Sequence, residues 1–183
     1  VEDGILEEIP LDSIDTDKHV WIPHHPVIKS DENSTTKIRP VLNCSMKRGN
    51  NPSLNEAAYP GVDLLNNMLG QLLRVRTNDS IMLADIRQAF LQIRLIKISD
   101  RNKFSILWKH PNGTLRAFRY NTIVFGLASS PFILNYIIQY HIQNYPDDKV
   151  SKALKAQMYV DNYFHTSNDI HDLKENYVET TSR

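Results

Sequence analysis

Apolar and polar positions along this chain form short blocks that predict helices mixed with strands. Apolar residues recur at helical spacing through 62–75, which predicts an amphipathic helix whose apolar stripe packs into a core. Further helices are predicted over 130–145 and 150–156, and residues 1–8 are predicted to end another. The run 80–86 is short and mostly apolar, a pattern typical of a buried strand.

The segment 19–43 predicts an antiparallel hairpin. Pro23 and Pro26 exclude a helix over 19–29, so we expect that segment to be extended. A polar turn over 30–36 and a returning strand over 38–43 complete the hairpin.

Two more hairpins are predicted further along the chain. Residues 103–120 surround an Asn-Gly dipeptide, which favours a tight turn, and residues 157–166 are expected to turn at Asp161 and Asn162. Strands that return in hairpins, interspersed with helices, predict an α+β fold and disfavour a doubly wound sheet. The residues expected to cap a final helix are Ser167 or Asn168.

Composition narrows the function classes. The 183 residues are 41% hydrophobic, which supports the core of one domain or of two interlocked subdomains. Twenty-one basic residues balance 21 acidic ones, so nucleic-acid binding would have to rest on local basic patches. The single Cys44 excludes an internal disulfide and a cysteine-rich zinc site. No membrane span is predicted, and a start at Val1 suggests a piece of a longer protein.

Two carboxylates stand out because their neighbours are apolar. Asp85 ends the apolar run 80–86, and Asp161 lies in an apolar hairpin turn. A turn or capping role is one explanation for each. The other is that the two segments are adjacent in one sheet, so that both carboxylates converge on divalent ions that serve phosphoryl transfer. By contrast, Asp147-Asp148 has polar neighbours and is predicted to be a solvated loop and helix cap.

Four motifs in order along the chain resemble those of retroviral-type reverse transcriptases. The box 159–162 (YVDN) is similar to their Tyr-x-Asp-Asp box, and 84–90 (ADIRQAF) to their first catalytic motif. The motif that opens the long palm helix is matched by 125–132 (FGLASSPF). The fingers hairpin is matched by 37–43 (KIRPVLN) followed by 53–55 (SLN). The similarity covers about residues 1–175.

The resemblance implies a right-hand polymerase fold with fingers, an antiparallel palm sheet packed on helices, and no thumb. Residues 22–29 (IPHHPVIK) and 34–37 (STTK) resemble most the Bel/Pao class of long-terminal-repeat retrotransposons. The implied subdomains are fingers over about 1–58 and 94–129, and palm over about 59–93 and 130–183.

The resemblance also implies an RNA- and DNA-directed DNA polymerase. Its cofactor would be two Mg²⁺ ions, with Mn²⁺ as a possible substitute, and its partners an RNA template, a DNA primer or template and dNTP. No membrane partner is expected. The full polyprotein would also carry a protease, an RNase H and an integrase, and would act in a cytoplasmic ribonucleoprotein or virus-like particle.

Roles for single residues follow from the same resemblance. Asp85 and Asp161 would hold the metals together with the carbonyl oxygen of Ile86, and Asn162 would complete the catalytic set. Phe90 would be a steric gate that leaves no room for a ribose 2′-hydroxyl. The residues implied to contact the nucleotide are Arg39, assisted by Lys37 or Lys29, then Phe90, Phe125 and Gly126. Those implied to contact primer or template are Tyr159, Ser130 and Pro131.

Two departures from the family pattern leave alternatives open. Phe125 stands where retroviral enzymes often have Gln, and Asn162 replaces the second Asp of the box. Either this lineage works with Asn162, or the chain is a catalytically inactive, nucleic-acid-binding relic. A different two-carboxylate enzyme such as a cyclase is a weaker third alternative. The arginines near Asp85 in sequence could contact a template strand or be solvated: Arg74, Arg76, Arg87 and Arg94.

Overall fold

The structure, a computed structural model, describes residues 3–28 and 38–182 and has the predicted α+β composition. Its strands are β1 (Leu6–Ile9), β2 (His24–Ile28), β3 (Ile38–Leu42), β4 (Ser80–Asp85), β5 (Ser105–Lys109), β6 (Leu115–Tyr120), β7 (Met158–Tyr159) and β8 (Asn162–Ser167). Its helices are α1 (Leu54–Ala57), α2 (Met68–Val75), α3 (Ala89–Gln92), α4 (Ile98–Arg101), α5 (Ser130–Gln143), α6 (Lys149–Gln157) and α7 (Ile170–Thr181). A 3₁₀ turn covers Leu11–Ser13. No helix in the described ranges is both long and apolar enough to cross a bilayer.

The chain divides into two compact units, each built from two separate segments. The first unit comprises Val1–Pro60 and Phe90–Ser130, and the second Gly61–Ala89 and Pro131–Arg183. The pattern of segments resembles the expected fingers and palm, whose functional assignment stays a prediction.

In the first unit, β1 is a strand and does not end a helix, so the prediction for residues 1–8 was wrong where the structure describes them. It pairs antiparallel with β6, and Leu6 lies opposite Tyr120. Arg119 binds Glu7 with two hydrogen bonds of 2.8 and 3.0 Å, and Arg116 forms an ion pair with Glu8. These partners lie more than a hundred residues away, so local sequence could not reveal them.

The two hairpins predicted for this unit are confirmed. β2 pairs with β3, with His24 opposite Leu42, although the predicted turn over 30–36 lies outside the described residues. β5 pairs with β6, and the connecting turn uses Gly113 at φ 88°, a conformation that glycine adopts without steric cost. Together β1, β6 and β5 form a three-stranded sheet with β6 in the centre.

The core of the first unit includes Cys44. The thiol packs with Leu42, Phe104 and Val124, and the residue is only 2% exposed. Burial raises the pKa of the Cys44 thiol to about 11, because a thiolate is poorly solvated there. This environment makes a nucleophilic role for Cys44 unfavourable.

In the second unit, β8 lies between β4 and β7 in an antiparallel sheet. β4 is the strand predicted from the apolar run, but its residues alternate between half-buried and exposed, and Leu83 is 65% exposed. The prediction of a buried strand was therefore wrong. Side chains of an antiparallel strand alternate between two faces. Helices α2, α6 and α7 contact β8, so the side chains of one face are covered while Ile81 and Leu83 share the other.

Helix α2 corrects the prediction that the apolar stripe of 62–75 is core packing. The helix begins only at Met68, and its exposed side chains include Leu69 and Leu73. Gln71 instead faces inward and is 4% exposed, whereas Arg74 stays exposed. Gln71 and Arg74 each donate a hydrogen bond of 2.6 Å to the carbonyl oxygen of Ala156 near the end of α6. The last carbonyls of a helix lack partners within it, and these two donors satisfy one of them.

The beginnings of α6 and α7 test the predicted caps. Asp148 caps α6 by accepting a 2.9 Å hydrogen bond from Ser151 N, as predicted for this acidic pair. The cap of α7 is Asp169, which accepts from His171 N at 2.8 Å, so the predicted Ser167 or Asn168 cap was wrong. The Asn168 side chain instead accepts from Asp79 N.

Candidate active site

Asp85 and Asp161 come together at one end of the β4–β8 pair. Asp85 is the last residue of β4 and lies directly opposite Asn162, the first residue of β8. The Ile86 N–H, one residue further, donates to the carbonyl oxygen of Asp161 at 3.0 Å. The alternative in which the two segments are neighbours in one sheet is therefore confirmed.

A tight two-residue loop presents Asp161. The loop consists of Val160 and Asp161, not of Asp161 and Asn162 as predicted, because Asn162 already pairs with Tyr159. Val160 has φ 56°, in the left-handed region that β-branched residues avoid. Such a conformation costs about 1–3 kcal/mol and persists only where the surroundings enforce it.

The surroundings of β8 anchor this loop firmly. Tyr163 is buried, and its hydroxyl donates to Asn176 Oδ1 on α7 at 2.9 Å. On the same face, His165 contacts Gln157 Oε1 at 2.9 Å and Asp172 Oδ2 at 3.2 Å. Hydrogen bonding from Lys149 lowers the pKa of Asp172, so this carboxyl stays ionised in its network.

The first strand of the hairpin is also held by a side chain. Asn66 Nδ2 donates to the carbonyl oxygens of Met158 at 2.8 Å and of Lys155 at 2.9 Å. This amide therefore fixes the chain at the start of β7. Tyr159, predicted to contact the primer, is half-buried one residue later.

The oxygen atoms at the acidic end fit a hard divalent cation. Asp85 is exposed and Asp161 half-buried, and the Ile86 carbonyl and the Asn162 amide add neutral oxygens. Asn162 Nδ2 lies 3.3 Å from Asp161 Oδ1, so the amide donates to the carboxylate. Within 3–28 and 38–182, no three His, Cys, Asp or Glu side chains form a metal-binding group. Any metal site here must therefore combine two carboxylates with neutral oxygens.

Two of the predicted nucleotide-binding residues are in contact in the first unit. The rings of Phe90 and Phe125 pack edge to face, with centroids 4.9 Å apart and an interplanar angle of 79°. Phe125 is 46% exposed, so one side of this aromatic pair is open to solvent. The edge contact restricts rotation of the Phe90 ring.

Gly126 follows Phe125 in a conformation that requires glycine. Its φ is 96°, and a Cβ placed there would lie 2.4 Å from the carbonyl oxygen of Leu42 at the end of β3. The backbone can therefore approach β3 only because this residue has no side chain.

Asn55, on α1, contacts the loop around Gly126, and the sequence motif assigned it no role of its own. Its amide makes hydrogen bonds with Gly126 and Ala128 on either side of Leu127. The available signal was the Ser-x-x-Glu capping box around it, Ser53 to Glu56, which predicts a short helix at this point.

The remaining predicted site residues lie in α5, in β3 or outside the described residues. Ser130 is 1% exposed, and its hydroxyl donates to the carbonyl oxygen of Val124 at 2.8 Å, so this side chain supports the loop. Its predicted contact with primer or template stays a prediction. Pro131 is half-buried in α5. Arg39 lies in β3 opposite Val27. The Arg39 side chain, and Lys29 and Lys37 entirely, are outside what the structure describes.

Arg74 and Arg94 have structural partners, which neither of their predicted roles included. Arg74 holds the end of α6, as described above. In the first unit, Arg94 Nη1 donates to the carbonyl oxygen of Gly4 at 2.6 Å.

Comparison with known proteins matches this chain to one family model and, by fold, to a solved structure. The family model for reverse transcriptase (RNA-dependent DNA polymerase) matches residues 27–183. A solved structure of the foamy viral protease-reverse transcriptase in complex with double-stranded DNA matches with a TM-score of 0.67 and 16% identity. That match covers 98% of this chain but only 26% of the viral chain. At this identity the match shows the shared fold and confirms the predicted fold class. No curated protein matches.

Proposed function

This chain belongs to the reverse transcriptase (RNA-dependent DNA polymerase) family, and we propose that it forms the fingers and palm of a retrotransposon enzyme. The enzyme extends a DNA primer on an RNA or DNA template. The observation that carries the proposal is the pairing of Asp85 with Asn162, beside Asp161, at one end of the β4–β8 pair. Two carboxylates brought together by neighbouring strands suit a reaction in which a primer 3′-hydroxyl displaces pyrophosphate from a dNTP.

Asp85, Asp161 and the carbonyl oxygen of Ile86 would hold two divalent cations, Mg²⁺ or alternatively Mn²⁺. When bound, such ions activate the attacking oxygen and neutralise charge on the leaving group. Hard oxygen donors favour these ions. The strained Val160 contributes indirectly, because the tight loop presents the Asp161 side chain at its tip. Asn162 donates a hydrogen bond that orients the Asp161 carboxylate.

The residues of the first unit select and hold the nucleotide. Arg39, assisted by Lys37 or Lys29, binds triphosphate oxygens, since a guanidinium can contact them bidentately. Phe90 excludes the 2′-hydroxyl of an rNTP, and the ring of Phe125 supports the Phe90 ring. Contacts to primer and template come from Tyr159 and the segment at Pro131.

The resemblance of residues 22–29 and 34–37 supports a Bel/Pao-like element as the source. The full polyprotein would then add a protease, an RNase H and an integrase, and would act in a cytoplasmic particle. The chain spans about a quarter of the viral chain that it matches.

Primer extension tests the proposal, using the longest natural reading frame that encodes this chain. Asp85→Asn and Asp161→Asn should each lower extension about 1000-fold or more, because several kcal/mol of charge stabilisation are lost. The matched control is Asp147→Asn, which alters a solvent-exposed loop carboxylate and should leave extension unchanged. Primer extension that survives in the Asp85→Asn variant would contradict the assignment of Asp85 as a metal ligand. Phe90→Ala should raise rNTP incorporation, and unchanged sugar selectivity would remove the gate role.

Asn162 favours a second candidate, a nucleic-acid-binding relic without catalysis. In that case the natural protein binds primer-template but does not extend it at any Mg²⁺ concentration. Gel-shift and extension assays on the same preparation separate the two candidates.

A further inference from the structure

Asn55 connects two parts of the first unit through one amide. Its Nδ2 donates to the carbonyl oxygen of Gly126 at 3.0 Å and to Ser45 Oγ at 2.9 Å. Its Oδ1 accepts from Ala128 N at 2.8 Å. One planar group therefore satisfies a carbonyl and an N–H on opposite sides of Leu127, which requires a donor and an acceptor on the same side chain.

The backbone of Asn55 is fixed independently of these contacts. Ser53 Oγ accepts from Glu56 N at 3.2 Å, and Glu56 Oε2 accepts from Ser53 N at 3.0 Å, which completes a capping box around α1. Lys47 lies 2.6 Å from Glu56, and Asn55 N donates to the carbonyl oxygen of Cys44 at 3.0 Å. The amide thus projects from a short helix with a defined position.

The loop that Asn55 contacts also lies close to the end of β3. The carbonyl oxygen of Leu42 lies where a side chain on Gly126 would be. Between these two restraints, Phe125 and Gly126 remain exposed, and Phe125 contacts the ring of Phe90. The loop is therefore both restrained and open to a ligand.

We infer that Asn55 is a positioning residue for nucleotide selection. It fixes the loop from Phe125 to Ala128, so that Phe125 and Gly126 meet the incoming dNTP in one arrangement. Asn55 acts through this loop and does not contact the nucleotide. The inference rests on the proposed function, and it adds a residue to which the motif comparison assigns no role.

Steady-state kinetics of primer extension test this role. Asn55→Ala removes all three side-chain bonds and should raise the KM for dNTP about 10-fold, the scale of one or two lost neutral hydrogen bonds. Asn55→Asp keeps the acceptor for Ala128 but sets a negative oxygen against the Gly126 carbonyl, and should raise KM at least as much. The affinity for primer-template should stay unchanged in both, and kcat should change less than about 3-fold.

The matched control is Asn121→Ala. Asn121 Nδ2 also donates to a glycine carbonyl in the same unit, that of Gly4 at 3.1 Å, but not in the Phe125–Ala128 loop. This variant should lower the melting temperature without raising the KM for dNTP. An equal rise in KM for Asn121→Ala, or no rise for either Asn55 variant, would overturn the inference.

Hydrogen exchange in the 183-residue chain gives a second readout that needs no catalysis. Asn55→Ala should speed exchange at the Ala128 amide about 10-fold or more, while Ala117 in β6 keeps its protection. Unchanged exchange at the Ala128 amide would overturn the inference, whatever the primer-extension kinetics show. If the natural protein does not extend primers, the proposed function fails, and exchange at Ala128 alone decides whether Asn55 fixes the loop.

Discussion

Replacing Gly126 by alanine tests the close approach of the Phe125–Ala128 loop to β3. At φ 96°, the new Cβ would lie 2.4 Å from the carbonyl oxygen of Leu42, a separation that real Cβ atoms essentially never show. The obstacle is backbone and cannot rotate away, so the loop or the end of β3 must move.

Two effects add in this variant. A non-glycine residue at positive φ costs about 1–2 kcal/mol, and displacement of packed backbone costs about 1–3 kcal/mol more. Gly113→Ala is the matched control, because Gly113 has a similar φ of 88° but nothing lies within 4 Å of its added Cβ. The control should therefore show only the conformational cost, about 1–2 kcal/mol, and the difference between the variants isolates the contact with Leu42.

Urea denaturation followed by tryptophan fluorescence measures this difference. Both tryptophans of the chain, Trp21 and Trp108, lie in the same unit as the two glycines, so fluorescence reports on that unit. We expect Gly126→Ala to lower the free energy of unfolding by about 3–4 kcal/mol, with the same m-value as the natural chain. Equal losses for Gly126→Ala and Gly113→Ala would refute the argument that the Leu42 carbonyl excludes a side chain.

Three further predictions concern other groups. Asn162→Asp should lower the Mg²⁺ concentration needed for primer extension and should raise, or at least not reduce, its rate. Thermal melts in chelator should show a lower melting temperature, because the hydrogen bond to Asp161 becomes a repulsion. A folded variant with less activity would show that Asn162 is a working part of the site. Hydrogen bonds from Arg119 hold the pKa of Glu7 below its ordinary value of 4.5, so this stabilisation is present above about pH 4.5 and is lost as pH falls through the lowered pKa. Since the Glu7 side chain is 40% exposed, the effect is about 0.5 kcal/mol after solvent screening, and melts of Glu7→Gln against pH should lack it. The buried Cys44 thiol, with its pKa raised to about 11, should resist a thiol reagent at pH 8 in the folded chain and react only in urea; rapid labelling of the folded chain would contradict its burial.

The hairpins and the acidic motif could be predicted from sequence because their signals are local. Two prolines exclude a helix at β2, an Asn-Gly pair favours the turn between β5 and β6, and the order of four motifs indicates the family. Asp85 and Asp161 were identifiable one at a time, as carboxylates among apolar neighbours.

Only the tertiary structure decided features whose partners are distant in sequence. β1 is a strand because it pairs with β6, more than a hundred residues later, whose Arg116 and Arg119 bind its glutamates. Gln71 and Arg74 of α2 satisfy a carbonyl at the end of α6, while the leucines of the same helix stay exposed.

The same holds for the candidate site. Its motifs locate the carboxylates, but the strand register that sets Asp85 opposite Asn162 arises from packing of β8 between β4 and β7. The contacts of Asn55 with the Gly126 loop span 71 and 73 residues. Local sequence determined which segments could form strands, helices and turns, because those preferences act between neighbours. Which side chains meet across the fold depended on burial and on hydrogen-bond satisfaction, which are properties of the whole packed chain.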